Sequence, residues 1–171
     1  MIPTDYCVGS PLIRQDSWRS VMHLDIKPDN IFLLKKINHP REVPKLVLGD
    51  FGLAALSNQT ARRVGPSYWQ GPEWPRASRK TDIWALGAII HWLCHGRGPI
   101  DPRPEYASTP KDEWAEDPDV KNPQPLPEEY SEPLNRVMMA CFRRDPRRRI
   151  DSSDLLPLVE EGREIFHYQY S

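Results

Sequence analysis

The chain has 171 residues, enough for one domain with a sizeable core, and its 39% hydrophobic and 27% charged content is that of a folded globular protein. A formal net charge of −1 gives no global field to draw nucleic acid or an acidic membrane, so neither is expected as a partner. The three cysteines, Cys7, Cys94 and Cys141, are widely spaced and form no CxxC pair, which argues against a disulfide framework or zinc knuckle and fits a reduced, intracellular setting.

In chain order, residues 1–18 show neither helical nor strand periodicity and no signal-peptide pattern, and they are expected to be irregular or poorly ordered. Arg19–Met22 lead into a loop over His23–Asn30. Ile31–Leu34 and Lys45–Leu48 are short apolar runs of strand length on either side of a polar turn region, which predicts a hairpin with a long connection. Gly49–Pro72 reads as a loop. Thr81–Cys94 predicts a helix with Thr81 as N-cap and Asp82 at the positive end of its dipole. Its apolar residues Ile83, Trp84, Leu86, Ile89, Ile90 and Leu93 cover most of the circumference, so it is expected to be central and buried, and it is too short to span a bilayer.

Nine of the 19 prolines fall between Pro99 and Pro133, which rules out one long helix or a sheet there and leaves a single helical possibility at Lys111–Ala115. Ser131–Phe142 has helical spacing with Ser131 as a plausible N-cap. Ser152–Phe166 is a last helical pattern, with Leu155, Leu156 and Val159 expected inward and a kink or break at Pro157.

Three motifs carry chemistry. His23-Leu24-Asp25-Ile26-Lys27-Pro28-Asp29-Asn30 has the form H-x-D-x-x-x-x-N, Asp50-Phe51-Gly52 begins twenty residues after Asn30, and Gly71-Pro72-Glu73 follows. Any one of these is common by chance. In this order, on a strand–loop–strand–loop layout, they resemble the H-R-D-x-x-x-x-N, D-F-G and A-P-E set of the eukaryotic-type serine/threonine protein kinases. Thr81-Asp82-Ile83-Trp84 resembles the start of that family's central helix, and Asp145-Pro146-Arg147-Arg148-Arg149 its late D-P-x-x-R element. The phrases around Asn30 and Asp50 look most like NIMA-related kinases.

The resemblance implies ATP and magnesium as cofactors and a protein as substrate. Phosphoryl transfer needs mainly positioning and charge neutralisation. Asp25 would receive or orient the substrate hydroxyl proton, and Lys27 would steady the transferring phosphate. Asn30 and Asp50 would supply the oxygen ligands that magnesium prefers. Phe32 would sit under the adenine, and His23 and Phe51 would stack. Asp82 would hold the catalytic-loop backbone from below, and Arg149 would pair with Glu73.

The implied fold is α+β and mainly α: the large C-terminal lobe of a kinase over 19–171, with a short β-hairpin carrying the active-site edge and the N-lobe absent. No lysine precedes Lys27 and no glutamate precedes Glu42, so the phosphate-anchoring ion pair and Gly-rich loop of the family have no counterpart upstream. Gly96-Arg97-Gly98 is a helix stop, not a phosphate cradle. Leu24 replaces the arginine that clamps a phosphorylated activation loop, Pro66 replaces a threonine, and Trp69 and Gly71 replace tyrosine and alanine.

These departures keep a second expectation open: a pseudokinase-like scaffold, with a partner protein on the apolar cleft face around Phe32. His91 and His95 flank Cys94 at helical spacing. Trp92 stands where a metalloprotease helix would place its glutamate, so a core or helix-end role is expected for them rather than a metal site. The arginines from Arg143 to Arg149 read as a solvated loop around one buried pair, and Met138 and Met139 as core. Ser57, Thr60 and Ser67 are candidate modification sites, with solvated loop polarity as the default.

Overall fold

The computed structural model describes residues 19–36, 38–39, 43–57, 64–100 and 118–170, with side chains to 165. The expectations for 1–18, for a helix at 111–115 and for Thr60 lie outside the described residues.

The hairpin forms as expected. Strand β2 (Ile31–Leu33) pairs antiparallel with β3 (Leu46–Leu48), in register Ile31↔Leu48 through Leu33↔Leu46. Two further short strands form, one in the lead-in to the His23–Asn30 loop and one within the stretch 49–72 that was expected to be loop. Strand β1 (Val21–Met22) pairs antiparallel with β4 (Ala55–Leu56), and the amide of Ser57 donates to the carbonyl of Ser20 at 2.9 Å to extend the pair. Two residues carry no readable period, so only pairing reveals such strands.

Helix α1 (Arg79–His95) starts earlier than expected. Its N-cap is Ser78, whose hydroxyl accepts from the Lys80 amide at 3.1 Å. Thr81 is the third helical residue, and its hydroxyl reaches back to accept from the Ser78 amide at 3.0 Å. The two side chains together satisfy donors that the first turn leaves orphaned. Gly96 ends the helix in the left-handed conformation, φ 69°, which glycine adopts without strain.

Helix α2 (Glu132–Cys141) packs against α1, and helix α3 (Ser152–Tyr170) packs against α2. Ser131 is the α2 N-cap by position, though its side chain makes no capping hydrogen bond. Pro157 lies inside a continuous α3 rather than splitting it.

The core lies between these helices. Ile83, Val137, Cys141 and Leu155 form one buried cluster, and Trp84, Ala88, Met138 and Phe142 a second. Trp84 meets Phe142 edge to face, with ring centroids 4.9 Å apart. α1 is central, but not buried all round as its composition implied: Leu93 is 67% exposed, and Trp92 also reaches solvent. In α3 the inward residues are Leu155 and Leu158, while Leu156 and Val159 are exposed. Among the described residues no helix is long and apolar enough to cross a membrane.

Candidate active site

The loop from His23 to Asn30 leaves β1 and turns sharply at Leu24. This residue is fully buried in the left-handed region, φ 67°, an unfavourable conformation for a bulky side chain. Asp82, in the first turn of α1, holds it there. Its two carboxylate oxygens accept from the amides of His23 at 2.7 Å and Leu24 at 2.8 Å. Burial pushes the Asp82 carboxyl above its ordinary value, and these two hydrogen bonds oppose the rise.

The strained turn aims Asp25 inward. Its Oδ2 accepts from Lys27 Nζ at 3.0 Å and from Asn30 Nδ2 at 3.0 Å, and the Asn30 amide group also donates to the Asp25 carbonyl at 2.8 Å. Asp25 and Asn30 are buried, while Lys27 is partly open. Asp25 Oδ1 is buried and has no hydrogen-bond partner. It faces Gly65, whose amide donates to the Leu24 carbonyl at 2.7 Å, and a Cβ at Gly65 would lie 2.3 Å from that oxygen. Pro66, at the position of the expected threonine, offers no hydroxyl to fill the gap.

His23 joins this loop to Asp50-Phe51-Gly52. Its Nε2–H donates to the Gly49 carbonyl at 3.0 Å and its Nδ1 accepts from the Asp25 amide at 3.3 Å, so one neutral tautomer serves both bonds. The expected ring contact with Phe51 forms, with centroids 4.7 Å apart and planes tilted by 58°. Gly49 donates to the Asn30 carbonyl at 2.9 Å, which brings the two motifs onto the same hairpin end. Asp50 is exposed, φ 60°, and its Oδ1 accepts from Gly52 at 3.2 Å. Phe32 is 52% exposed and lies over Gly49, where a Cβ would be 2.9 Å from its ring.

This donor set suits a hard divalent cation: with its nitrogen committed to Asp25, Asn30 has an amide oxygen to offer, and Asp50 has a carboxylate open to solvent. Among the described residues no group of three or more His, Cys, Asp or Glu is placed to hold a metal. His91 instead bonds the Arg97 carbonyl at 3.0 Å and accepts from the Gln124 amide at 3.2 Å, the structural role expected of it.

Glu73 and Arg149 form the expected pair. The guanidinium donates to both glutamate oxygens, at 2.6 and 2.8 Å, with the arginine side chain fully buried. Gly71 adjoins this pair, and a Cβ there would lie 2.3 Å from Glu73 Oε2. Beside the Asp25 cluster opens a cleft of about 720 Å³, lined by Lys27, Asp29, Pro66, Tyr68, Trp69 and Trp92. Ser67 is buried, so it is not an open modification site, and its carbonyl accepts from the buried Lys121 amine. Burial lowers that amine to about 7, with the Glu73 charge opposing. Sequence reading missed Gly65, Tyr68, Trp92 and Lys121. A small residue, two aromatics and a lysine outside any motif carry no signal of where they pack.

The model of the protein kinase domain matches residues 18–158, and the chain belongs to that family. Within it, the similarity is to NIMA-related serine/threonine kinases. The chain is 33% identical over 147 residues to the G2-specific protein kinase nim-1 of Neurospora crassa, covering 81% of this chain and 15% of that protein. It is 32% identical to the G2-specific protein kinase nimA of Emericella nidulans, covering 80% of this chain and 19% of that one. It is also 30% identical to the probable serine/threonine-protein kinase nek2 of Dictyostelium discoideum, with 80% and 31% covered. The chain therefore spans less than a third of the length of each of these relatives.

Proposed function

We propose that this chain is the larger, mainly helical lobe of a kinase domain and that it serves ATP-dependent phosphoryl transfer to serine or threonine of an intracellular protein. The observation that carries the reading is the buried Asp25 cluster, with one oxygen tied to Lys27 and Asn30 and the other without a partner. The substrate hydroxyl gives its proton to Asp25 as its oxygen forms a bond to the γ-phosphorus and the bond to the ADP oxygen breaks. Lys27 supplies positive charge beside the transferring group. Asn30 and Asp50 offer oxygens to magnesium, which when bound neutralises charge on the phosphates. Phe32 gives the adenine an apolar face.

In full-length protein, Asp25→Asn should lower transfer of labelled phosphate to a protein substrate by roughly 10²–10⁴-fold. Transfer at the wild-type rate would overturn the role given to Asp25.

A second reading, a non-catalytic scaffold, is favoured by one observation. Phe32, Leu33, Leu46 and Phe51 are each more than half exposed around the hairpin, an apolar face fit for a partner protein. A thermal shift with Mg–ATP separates the two readings, because a ligand held by the native state alone raises its stability by about 2.7 kcal/mol at a hundredfold excess over Kd. Absence of any shift at millimolar nucleotide favours the scaffold.

A further inference from the structure

The turn that presents Asp25 is gripped from two sides. Asp82 accepts from the Leu24 amide at 2.8 Å, and the Leu24 carbonyl accepts from the Gly65 amide at 2.7 Å. Leu24 sits in the left-handed region, φ 67°, and a bulky residue stays there only while its surroundings hold it. Asp82 is fixed in the first turn of α1. Gly65 lies in no helix or strand, so its own position needs another source.

Gly65 is packed closely on the carboxylate it faces. A Cβ there would lie 2.3 Å from Asp25 Oδ1 and 3.1 Å from Asp25 Cα, so a drift of the Gly65 backbone moves it into or away from that oxygen. The next residue gives no hold, because Pro66 has neither a backbone N–H nor a hydroxyl to donate to the turn. The Gly65 carbonyl, however, accepts from the indole Nε1–H of Trp74 at 3.3 Å, at the long end for such a bond.

Trp74 has a firm base from which to reach it. It follows Glu73, whose carboxylate takes two bonds from the buried Arg149 guanidinium, and its own amide donates to the Gly71 carbonyl at 3.0 Å. The ring is half-buried and belongs to none of the buried apolar clusters. Its polar edge, rather than its bulk, is what connects it to the Asp25 turn.

We propose that Trp74 is a positioning residue for phosphoryl transfer: its indole N–H, acting through the backbone of Gly65, holds the Leu24–Asp25 peptide so that the unpartnered Asp25 oxygen stays aimed at the substrate hydroxyl. The proposal rests on the kinase reading for the reaction it serves. Trp74 reaches Asp25 only through Gly65, so it bears on the rate of transfer and not on nucleotide binding, which that reading gives to Asn30, Asp50 and Phe32.

The test uses full-length protein with two replacements. Trp74→Phe removes the N–H and keeps an aromatic ring. The sulfur analogue of tryptophan at position 74 (benzothiophene in place of indole) removes the N–H and keeps the bicyclic shape. Initial rates of phosphate transfer to a protein substrate are measured against ATP concentration. Each variant should lose about fivefold to tenfold in kcat, the worth of one hydrogen bond, with the KM for ATP within about twofold of wild type. Hydrogen exchange at the Gly65 amide should quicken by about the same factor in both, while the amides of α1 keep their protection. Wild-type kcat in the sulfur analogue, whatever its KM, or a loss of kcat with unchanged exchange at Gly65, overturns the role of Trp74 and leaves the kinase reading standing. A loss confined to Trp74→Phe is a packing effect and overturns it equally. Absence of transfer by the wild type sinks the kinase reading instead. Exchange at Gly65 then decides by itself: quickening sustains the hold of Trp74 on the segment, and no change removes it.

Discussion

At Gly65 the absence of a side chain decides the geometry of Asp25. A Cβ there would meet Asp25 Oδ1 at 2.3 Å and the Leu24 carbonyl at 3.0 Å, neither of which is the loose end of a flexible chain. Gly65→Ala should displace the carboxylate and lower phosphate transfer by about 10²-fold, with the thermal midpoint much less affected. A variant of wild-type activity would place Asp25 elsewhere. Lys121 is a second single-residue lever. Its amine sits at about 7 in the fold, against 10.5 ordinarily, because burial disfavours the charge. Between those values the unfolded chain holds a proton that the folded chain has lost, so stability rises with pH across that window and is flat below it. Urea midpoints measured from about pH 7 to about pH 10 should climb in the wild type and level off in Lys121→Met. Parallel curves would contradict the buried placement of the amine. The grouping of Asp25, Lys27 and Asn30, with Asp50 at the same hairpin end, was legible because spacing along a loop is itself a signal. Lys121 was not, because lysine in a proline-rich stretch reads as solvated, and only the fold shows what it is turned toward.

Among the elements, α1 organises the site, since Asp82 in its first turn is what makes the strained turn at Leu24 tenable. The reciprocal bonds of Ser78 and Thr81 hold that first turn together. Ser78→Ala should cost about 1 kcal/mol of stability by urea unfolding. At the other end His91 is buried, and desolvation brings its imidazole down to about 4 from 6.5. The unfolded chain therefore binds a proton between those values that the fold refuses, and stability should fall as pH drops from about 6.5 to about 4. His91→Gln should remove that acid sensitivity, and an unchanged acid limb in the variant would count against it. The sequence pattern located α1 to within two residues at its start, because Ser78 and Thr81 both look like caps and only the bond direction tells which one is. It misjudged the inward face of α3. Leu155, Leu156, Leu158 and Val159 crowd both sides of the helix, so the pattern allowed more than one face, and packing against α2 chose Leu155 and Leu158.

Across the whole molecule Arg149 ties together parts far apart in sequence. Besides Glu73, it donates to the carbonyl of Lys80 at 2.7 Å and that of Arg143 at 3.0 Å, and its guanidinium lies 4.9 Å from the centre of the Trp84 ring. Removing one partner of a buried ion pair strands the other, so Arg149→Met should cost about 3–5 kcal/mol, read as a drop in the urea midpoint. A loss below about 1 kcal/mol would show the pair to be dispensable.

The β1–β4 pair has its own consequence at this scale. By joining Val21 to Leu56 and Met22 to Ala55, it closes everything from His23 to Ala54 into a ring hung from a clasp. Inside that ring β2 and β3 form a second closure, sealed by the Leu34 amide on the Lys45 carbonyl at 2.9 Å. Chain added beyond that seal is separated from Asp25 and Asp50 by two sets of paired strands, and each doubling of its length costs only about 0.6 kcal/mol of closure entropy. The stretch between Leu34 and Lys45 is therefore a natural graft point, where a reporter or an additional module can be spliced in without disturbing the groups that flank the cleft.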